Sequence, residues 1–224
     1  VNPGDNKLLG SLREAIEASG LRDGMTIGAH HHLRNGDLVL NSVVKEIAAL
    51  GLRDIGIASS SVHPVHEALI PYIRDGVISH IECGVNGQIS RMVSTGQLDV
   101  PIITRTHGGR GRAMMCGDLK VDVAFVGAPT CDEYGNICAS KGPSACGVVG
   151  YSHSDADYAD CVIAITDNLV PYPAFPISIP QTKVDYVVKI DSLGNPAKIV
   201  STTTRITTDP IGLQIAKYAA TVIE

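Results

Sequence analysis

The strongest constraint on the fold is an alternation of short aliphatic runs with helical segments along most of the chain. Two of the runs, 121-VDVAFVGAP-129 and 160-DCVIAIT-166, carry apolar side chains at nearly every position. This pattern is typical of strands that are buried on both faces of a parallel sheet. Such strands, separated by helices, predict right-handed crossover units. We therefore expect an α/β fold: a mostly parallel sheet with flanking helices.

The other predicted elements follow the same rhythm. Further strands are predicted at 25-MTIGA-29, 54-DIGIASSS-61, 77-VISHIECG-84, 100-VPIIT-104 and 184-VDYVVKID-191. Apolar spacing and terminal glycines predict helices over residues 7–20, 38–50, 64–76, 87–97 and 209–224. Residues 169–181 are rich in proline, which helix interiors and central strands exclude, so an extended arm is predicted there.

The predicted elements divide the chain into three parts. Residues 1–24 form an N-terminal helical segment, and residues 25–208 form the α/β domain. The last helix has Asp209 at its N-terminal cap and Pro210 at its first position, which is a favourable start for a helix. We expect residues 209–224 to be the first helix of a second domain that is truncated here or lies on a separate chain.

Composition excludes several classes of protein. Hydrophobic residues make up 44% of the 224 residues, but aromatic residues only 4% and tryptophan none, so the core is aliphatic. The net charge of −5 is spread without runs, which argues against a nucleic-acid partner. No apolar run approaches the ~20 residues of a membrane span, and no signal peptide is predicted. The six cysteines form no CxxC pair, which indicates free thiols in a reducing compartment.

Polar, glycine-rich segments follow the predicted strands. In open α/β sheets, ligands bind at the carboxyl ends of the strands, so these segments are the candidate site. They are 30-HHHLRNGD-37, Ser59 to Ser61, 83-CGVNG-87, 106-THGGRGR-112 and 127-GAPTCDEYGN-136.

The triple histidine has three interpretations. In an extended segment His30 and His32 would point to one face, and His107 or a carboxylate could complete a metal site. No other residues have ligand spacing, so we favour no metal. The imidazoles could instead be satisfied by backbone groups, or could donate hydrogen bonds in a pocket for an anion.

Two other segments also suit an anion. The glycines of 106-THGGRGR-112 would allow close backbone approach, and its arginines match carboxylate or phosphate; a surface loop is the alternative. Ser59 to Ser61 could offer donors at a helix N-terminus or simply cap the helix. No GxSxG elbow surrounds a serine, so a hydrolase triad is not predicted. Asp132 and Asn136 fit turn geometry, and we expect the end of the preceding strand to line the pocket.

Four segments resemble the CoA-transferase superfamily, in the same order along the chain. They are GAHHHLRNGD, DIGIASSS, DVAFVGAPTCDEYGN and the proline-rich arm before VDYVVKID. The combination of HHHLRNGD with THGGRGR and VGAPTCDEYGN is most similar to the citrate lyase alpha-subunit family. The resemblance runs from about Met25 to Glu224 and implies a CoA-transferase-type α/β domain.

The resemblance also implies an activity and partners. Citrate would displace the acetyl group from the thiol of an acyl carrier protein, giving a citryl thioester and acetate. No cofactor would bind this chain directly, because the thiol belongs to a CoA-like phosphopantetheine-type prosthetic group on the acyl carrier (gamma) subunit. A beta subunit would then cleave the citryl thioester, so a cytoplasmic oligomer is expected. The nucleophilic glutamate of the wider superfamily is not evident here.

The candidate site residues follow from these segments and the resemblance. Catalytic roles are assigned to His31, His32 and Arg34, with no metal ligand. Substrate contacts are assigned to Ser59, Ser60, Ser61, His107, Gly108, Gly109, Arg110, Gly127 and Pro129. Three alternatives stay open: a CoA-transferase for another carboxylate, a non-catalytic half of a two-domain transferase that is inactive in isolation, and an anion-sensing domain of related fold.

Overall fold

A computed structural model describes residues 2–30, 32–199 and 207–223. Within these ranges one parallel sheet has seven strands, which we number β1 to β7 in chain order. They are β1 (Leu8–Leu9), β2 (Thr26–Gly28), β3 (Ile55–Ile57), β4 (Ile78–Ile81), β5 (Val123–Ala128), β6 (Cys161–Thr166) and β7 (Tyr186–Lys189). Their spatial order is β1-β7-β6-β5-β2-β3-β4, and all neighbours are parallel. The α/β prediction with a mostly parallel sheet is confirmed.

The fold has seven α-helices among the described residues, and short elements complete it. The helices are α1 (Leu12–Ala18), α2 (Val39–Ala49), α3 (Ile70–Arg74), α4 (Gly87–Ser94), α5 (His107–Cys116), α6 (Ser152–Tyr158) and α7 (Pro210–Ile223). Single turns of 3-10 helix cover Arg34–Gly36, Gln181–Lys183 and Pro196–Lys198, and a longer one covers Pro64–Leu69. Two small sheets pair Ser61–Val62 with Gly84–Val85, and Thr130–Asp132 with Ile137–Cys138 and Leu169–Val170.

The strand order creates a switch point between β2 and β5. From β2 the chain builds outward through β3 and β4, whereas β5, β6 and β7 build toward the opposite edge. Loops that leave the carboxyl ends of the two halves therefore diverge and open a crevice, which is where α/β proteins bind ligands.

The core lies on both faces of β5 and β6, as their sequences predict. All six residues of β5 are buried, and β6 is buried from Val162 to Thr166. Phe125 is the largest fully buried side chain, and the rest of the core is almost entirely aliphatic. Burying a side chain of this kind contributes about 1.5–3 kcal/mol, so these two strands contribute substantially to stability.

The predicted first helix is partly wrong. It begins at Leu12, where Ser11 caps it by accepting the Glu14 N–H, and Leu8–Leu9 instead pair with β7. Lys7 explains the difference, because its ammonium is buried and donates to the Gln181 and Val184 carbonyls at 2.6 and 2.5 Å. That anchor holds the preceding chain as an edge strand.

One further prediction near the site is wrong, and one alternative is excluded. Residues 100–104 form no regular strand; the backbone there is joined to β4 by the Ile103 N–H bond to the Ile81 carbonyl. The segment 106-THGGRGR-112 is not a surface loop, because Thr106 caps α5 by accepting the Gly109 N–H at 3.1 Å. A good cap outweighs the low helix propensity of the glycines.

The turn at Asp132 and the proline-rich arm support each other, as predicted. Asp132 Oδ1 accepts from the backbone N–H groups of Tyr134 and Asn136, and Oδ2 accepts from the Asn136 amide and the Ala174 N–H. The arm returns along the turn, with Ile179 bridged to Ile137. The structural roles of Asp132 and Asn136 are confirmed.

The last helix forms where predicted, and none of its described residues is buried. Asp209 Oδ2 accepts the Gly212 N–H at 2.6 Å, as an N-terminal cap should. The apolar side chains of α7, among them Ile215 and Tyr218, are exposed. Among the described residues, no helix has the length and apolar character to cross a membrane.

Candidate functional site

Two adjacent cavities open at the carboxyl ends of β2, β3 and β4. The first has a volume of about 290 Å³ and is lined by Arg34, Ser60, Ser61, His63, Glu82, Cys83, Gly84, Arg105, Thr106, His107, Arg110 and Tyr151. The second has a volume of about 230 Å³ and is lined by His30, His32, Arg34, Ser60, His107, Val148, Val149, Gly150 and Tyr151. The edge of the sheet at which a ligand site was predicted therefore contains a crevice large enough for a small molecule.

Arg34 is presented by a fixed turn. Its φ of 55° lies in the left-handed region, which is uncommon for a residue other than glycine. The turn is held on both sides, because Asn195 N–H donates to the Gly36 carbonyl at 2.8 Å and Asp37 Oδ1 accepts the Val39 N–H at 2.7 Å. The backbone conformation thus aims an exposed arginine side chain into both cavities.

The three arginines of the first cavity differ in their partners. Arg105 Nε donates to Glu82 Oε1 at 2.6 Å, and Arg110 is paired with Asp155 at 2.8 Å. The guanidinium of Arg34 makes no hydrogen bond or ion pair with any described residue. Arg34 is therefore the uncompensated cation of the cavity, and an anionic ligand is the partner that would neutralise it.

Arg110 belongs to a buried network that sequence reasoning did not foresee. Both of its terminal nitrogens bind Asp155, and Nη2 also donates to the Ala58 carbonyl at 2.7 Å. Asp155 is fully buried, and His30 Nδ1 lies 3.5 Å from its Oδ2. Burial raises the pKa of Asp155, and the Arg110 guanidinium opposes that shift. The Nε–H of Arg110 is buried without a hydrogen-bond partner among the described residues, so one donor remains for a ligand.

The imidazole of His32 is anchored by two contacts. Its Nε2 lies 2.7 Å from the Gly127 carbonyl, so Nε2 carries the proton and donates. Its Nδ1 then faces the Ser152 hydroxyl at 3.4 Å. Burial lowers the pKa of His32, against the opposing effect of the Gly127 bond. Both ring nitrogens are engaged, so His32 shapes the wall of the second cavity.

The lowered pKa of His32 predicts a pH-dependent stability. The unfolded chain takes up the proton near the ordinary pKa of about 6.5 while the folded chain does not. The free energy of unfolding should therefore fall as pH decreases below that value. His32→Gln keeps a donor toward Gly127 but cannot titrate, and we expect it to remove up to about 1.4 kcal/mol per pH unit of this slope. Urea unfolding between pH 7 and pH 5 measures the slope. His153→Gln, at an exposed position, is the control. An unchanged slope in His32→Gln would contradict the lowered pKa of His32.

A second histidine pair lies behind the first cavity and was also missed. His66 is fully buried, with Nε2 3.3 Å from Asp37 Oδ2, and its Nδ1 accepts the His63 N–H at 3.0 Å. Burial, followed by the proximity of His66 and Arg34, lowers the pKa of His63. His63 therefore lines the cavity as a neutral imidazole.

The predicted serines are brought to the site, but unequally. Ser60 and Ser61 line the first cavity, and Ser61 Oγ donates to the Gly84 carbonyl at 3.3 Å. Ser59 is buried behind them and donates to the Ser61 carbonyl at 3.3 Å. Ser59 thus supports the bend that presents Ser60 and Ser61, and it lines neither cavity.

None of the three predicted glycines lines either cavity, and neither does the predicted proline. Gly108 and Gly109 lie in the first turn of α5 beside His107, which lines both cavities and contacts the Tyr151 ring at a centroid distance of 5.2 Å. Gly127 and Pro129 are buried in and after β5 and line neither cavity. A side chain at Gly127 would meet Leu33 and Val39 at 3.0 and 3.3 Å, so this glycine serves close packing.

His31 lies outside the described residues. No three histidine, cysteine or carboxylate side chains come together as a metal site anywhere in the described ranges. Glu82 and Arg105 follow strand-like sequences, so the carboxyl-end rule could have indicated them. Tyr151 directly precedes the short helix α6, and Asp155 lies within it. No sequence signal marks either residue.

The reactivity of the cysteines should depend on their burial, with exposed thiols reacting faster than buried ones. Burial raises the pKa of Cys83 to about 12 although it lines the first cavity, and raises that of Cys161 to about 12. Cys116 is exposed. Because the thiolate is the reactive form, we expect iodoacetamide near pH 8 to modify Cys116 first and Cys116→Ser to lose the fast phase. Peptide mass spectrometry identifies the site, and equally fast modification of Cys83 would contradict the prediction.

Comparison with solved structures first defines the class of fold. Glutaconate CoA-transferase from Acidaminococcus fermentans superposes with a TM-score of 0.61 at 14% identity, over 82% of this chain and 75% of that one. At this identity the likeness concerns the fold alone. With the seven-stranded parallel sheet described above, it defines a CoA-transferase-type domain.

The particular family is shown by the sequence. The profile of the citrate lyase alpha subunit family matches residues 5–224. The citrate lyase alpha chain of Escherichia coli K12 is 45% identical over 220 residues, which are 98% of this chain and 43% of that protein. The alpha subunit of citrate lyase from Streptococcus mutans, solved in complex with citrate, superposes with a TM-score of 0.91 at 51% identity, over 100% of this chain and 44% of that one. The chain belongs to the citrate lyase alpha subunit family and spans less than half the length of these relatives.

Proposed function

We propose that this chain carries the citrate- and thioester-binding part of a citrate CoA-transferase. The reaction is acetyl-[acyl carrier protein] plus citrate to citryl-[acyl carrier protein] plus acetate. Membership of the citrate lyase alpha subunit family supports the reaction class. The uncompensated Arg34 at a cavity on the carboxyl edge of the sheet is the observation that carries the assignment to this site.

The chemistry needs donors at two developing oxyanions and no protein nucleophile. A citrate carboxylate attacks the acetyl carbonyl, and the C–S bond breaks to give a mixed anhydride and a thiolate. The thiolate then attacks the citryl carbonyl, which releases acetate. Three donors among the residues that line both cavities are Arg34, Ser60 and His107. Each well-placed donor contributes about 3–4 kcal/mol to lowering such a barrier. Arg105 compensates the Glu82 carboxylate, so that the cavity accepts an anion.

The proposed partners supply what this chain does not. The thiol is on a CoA-like phosphopantetheine-type group carried by the acyl carrier (gamma) subunit, and a beta subunit cleaves the citryl thioester. We further propose that residues 209–224 belong to a second domain. The exposed apolar side chains of α7 and the partial coverage of the relatives support this. The complex would be cytoplasmic.

An exchange assay tests the proposed function. The chain is combined with acetylated acyl carrier protein and, because it spans less than half of its relatives, with the remaining alpha-subunit sequence of a relative. Citrate should release acetate and give a citryl thioester, detected by mass spectrometry. Acetate release with a dicarboxylate but not with citrate, or exchange with isotope-labelled acetate, would favour a CoA-transferase for another carboxylate. Tight anion binding without any release would favour a sensing domain.

A further inference from the structure

The two cavities share a common boundary of four residues, which we call the neck: Arg34, Ser60, His107 and Tyr151. Beyond the neck their walls differ in chemistry. The first cavity adds the arginines 105 and 110, the carboxylate of Glu82 and the imidazole of His63, with other residues. The second adds the imidazoles of His30 and His32 and a wall from the segment 148–150, two valines and a glycine.

The second cavity offers little to a charged ligand beyond the neck. Arg34 is the only arginine or lysine among the described residues that line it. The nitrogens of His32 are engaged with Gly127 and Ser152. Val149 is 1% exposed, so its side chain is packed as a wall. Such a surface favours a small apolar group, because burying a methyl group there is favourable and leaves no charge without a partner.

We propose that the second cavity is the subsite for the short acyl group of the thioester substrate, with citrate in the first cavity and the reacting atoms at the neck. This inference rests on the proposed function. Exchange requires the citrate carboxylate oxygen to reach the acyl carbonyl carbon while both acyl groups are bound. In the first step a C–O bond forms, the C–S bond breaks, and the electron pair leaves with sulfur. Two cavities joined by Arg34, Ser60 and His107 allow that arrangement.

The test uses a neutral probe, S-acetyl-N-acetylcysteamine, which is a short acetyl thioester without phosphate or nucleotide. Protein with labelled valine methyl groups is titrated with the probe and observed by NMR. We expect the Val148 and Val149 signals to shift, and to shift equally when citrate is present at saturation. If the valine signals do not move, or if citrate abolishes their shift, the subsite is overturned. Citrate binding is measured separately, so that failure of the proposed function can be distinguished from failure of the acyl subsite.

A size-selectivity variant gives a second readout. Val149→Ala widens the wall, and we expect the preference for the propionyl over the acetyl probe to rise on the order of 10-fold, the effect of one methylene in a fitted pocket. Val162→Ala, an equally buried change in β6 away from both cavities, should leave the preference unchanged. An equal change in both variants, or none in Val149→Ala, would overturn the assignment.

Discussion

Replacing Arg110 with methionine is expected to destabilise the protein by about 3–5 kcal/mol. The substitution leaves the carboxylate of Asp155 fully buried without its two hydrogen bonds at 2.8 Å. It also removes the donor to the Ala58 carbonyl, which fixes the end of β3. The free energy of unfolding is measured by urea denaturation monitored by circular dichroism.

The same helix supplies the control for this prediction. Arg112 pairs with Asp118 at 3.3 Å, and both side chains are more than half exposed, so Arg112→Met should change the stability by less than about 1 kcal/mol. The double variant Arg110→Met with Asp155→Leu removes both charges and should recover part of the loss. Equal effects of Arg110→Met and Arg112→Met would show that the buried pair contributes no more to stability than the exposed pair.

Replacing Arg34 with asparagine should weaken citrate binding on the order of 10- to 100-fold. Hydrogen bonds to charged groups contribute roughly 1.5–3 kcal/mol each, and Arg34 is the uncompensated cation of the cavity. Asparagine tolerates the left-handed backbone that Arg34 adopts at φ 55°, so the turn is expected to persist. Calorimetric titration with citrate gives the affinity.

Two matched variants show whether the effect belongs to the site. Arg22→Asn removes an exposed arginine from the turn before β2, at the opposite end of the strand, and should leave citrate affinity unchanged. Arg34→Lys keeps the charge but loses the planar fork, so an intermediate affinity is expected. Citrate affinity that is equal in Arg34→Asn and the wild type would place the anion elsewhere.

The sheet could be predicted because the local sequence of its strands determines their conformation. β5 and β6 are apolar at nearly every position, and only a doubly covered parallel strand buries such a run. Leu8–Leu9 could not be predicted as a strand, because their conformation depends on Lys7 reaching carbonyls more than 170 residues away. Contacts at that separation leave no periodicity in the sequence.

The site was predictable in its location and only partly in its residues. The carboxyl-end rule identified the segments that contribute Arg34, Ser60 and His107. It could not show that Asp155, on a distant short helix, occupies the fork of Arg110. Which arginine is available to a ligand depends on such pairings, and these depend on the fold. The roles assigned to individual residues stay predictions until substitution tests them.

The most direct test of the central claim is calorimetric titration of the wild-type chain with citrate, with acetate and sulfate as comparisons. The carboxylates of citrate can engage both Arg34 and the unpartnered Nε–H of Arg110, so citrate should bind more tightly than a monocarboxylate or an inorganic dianion. We expect saturable citrate binding at one site, with acetate and sulfate much weaker. Equal affinities for citrate and sulfate, or no citrate binding by folded protein, would contradict a citrate site on this chain.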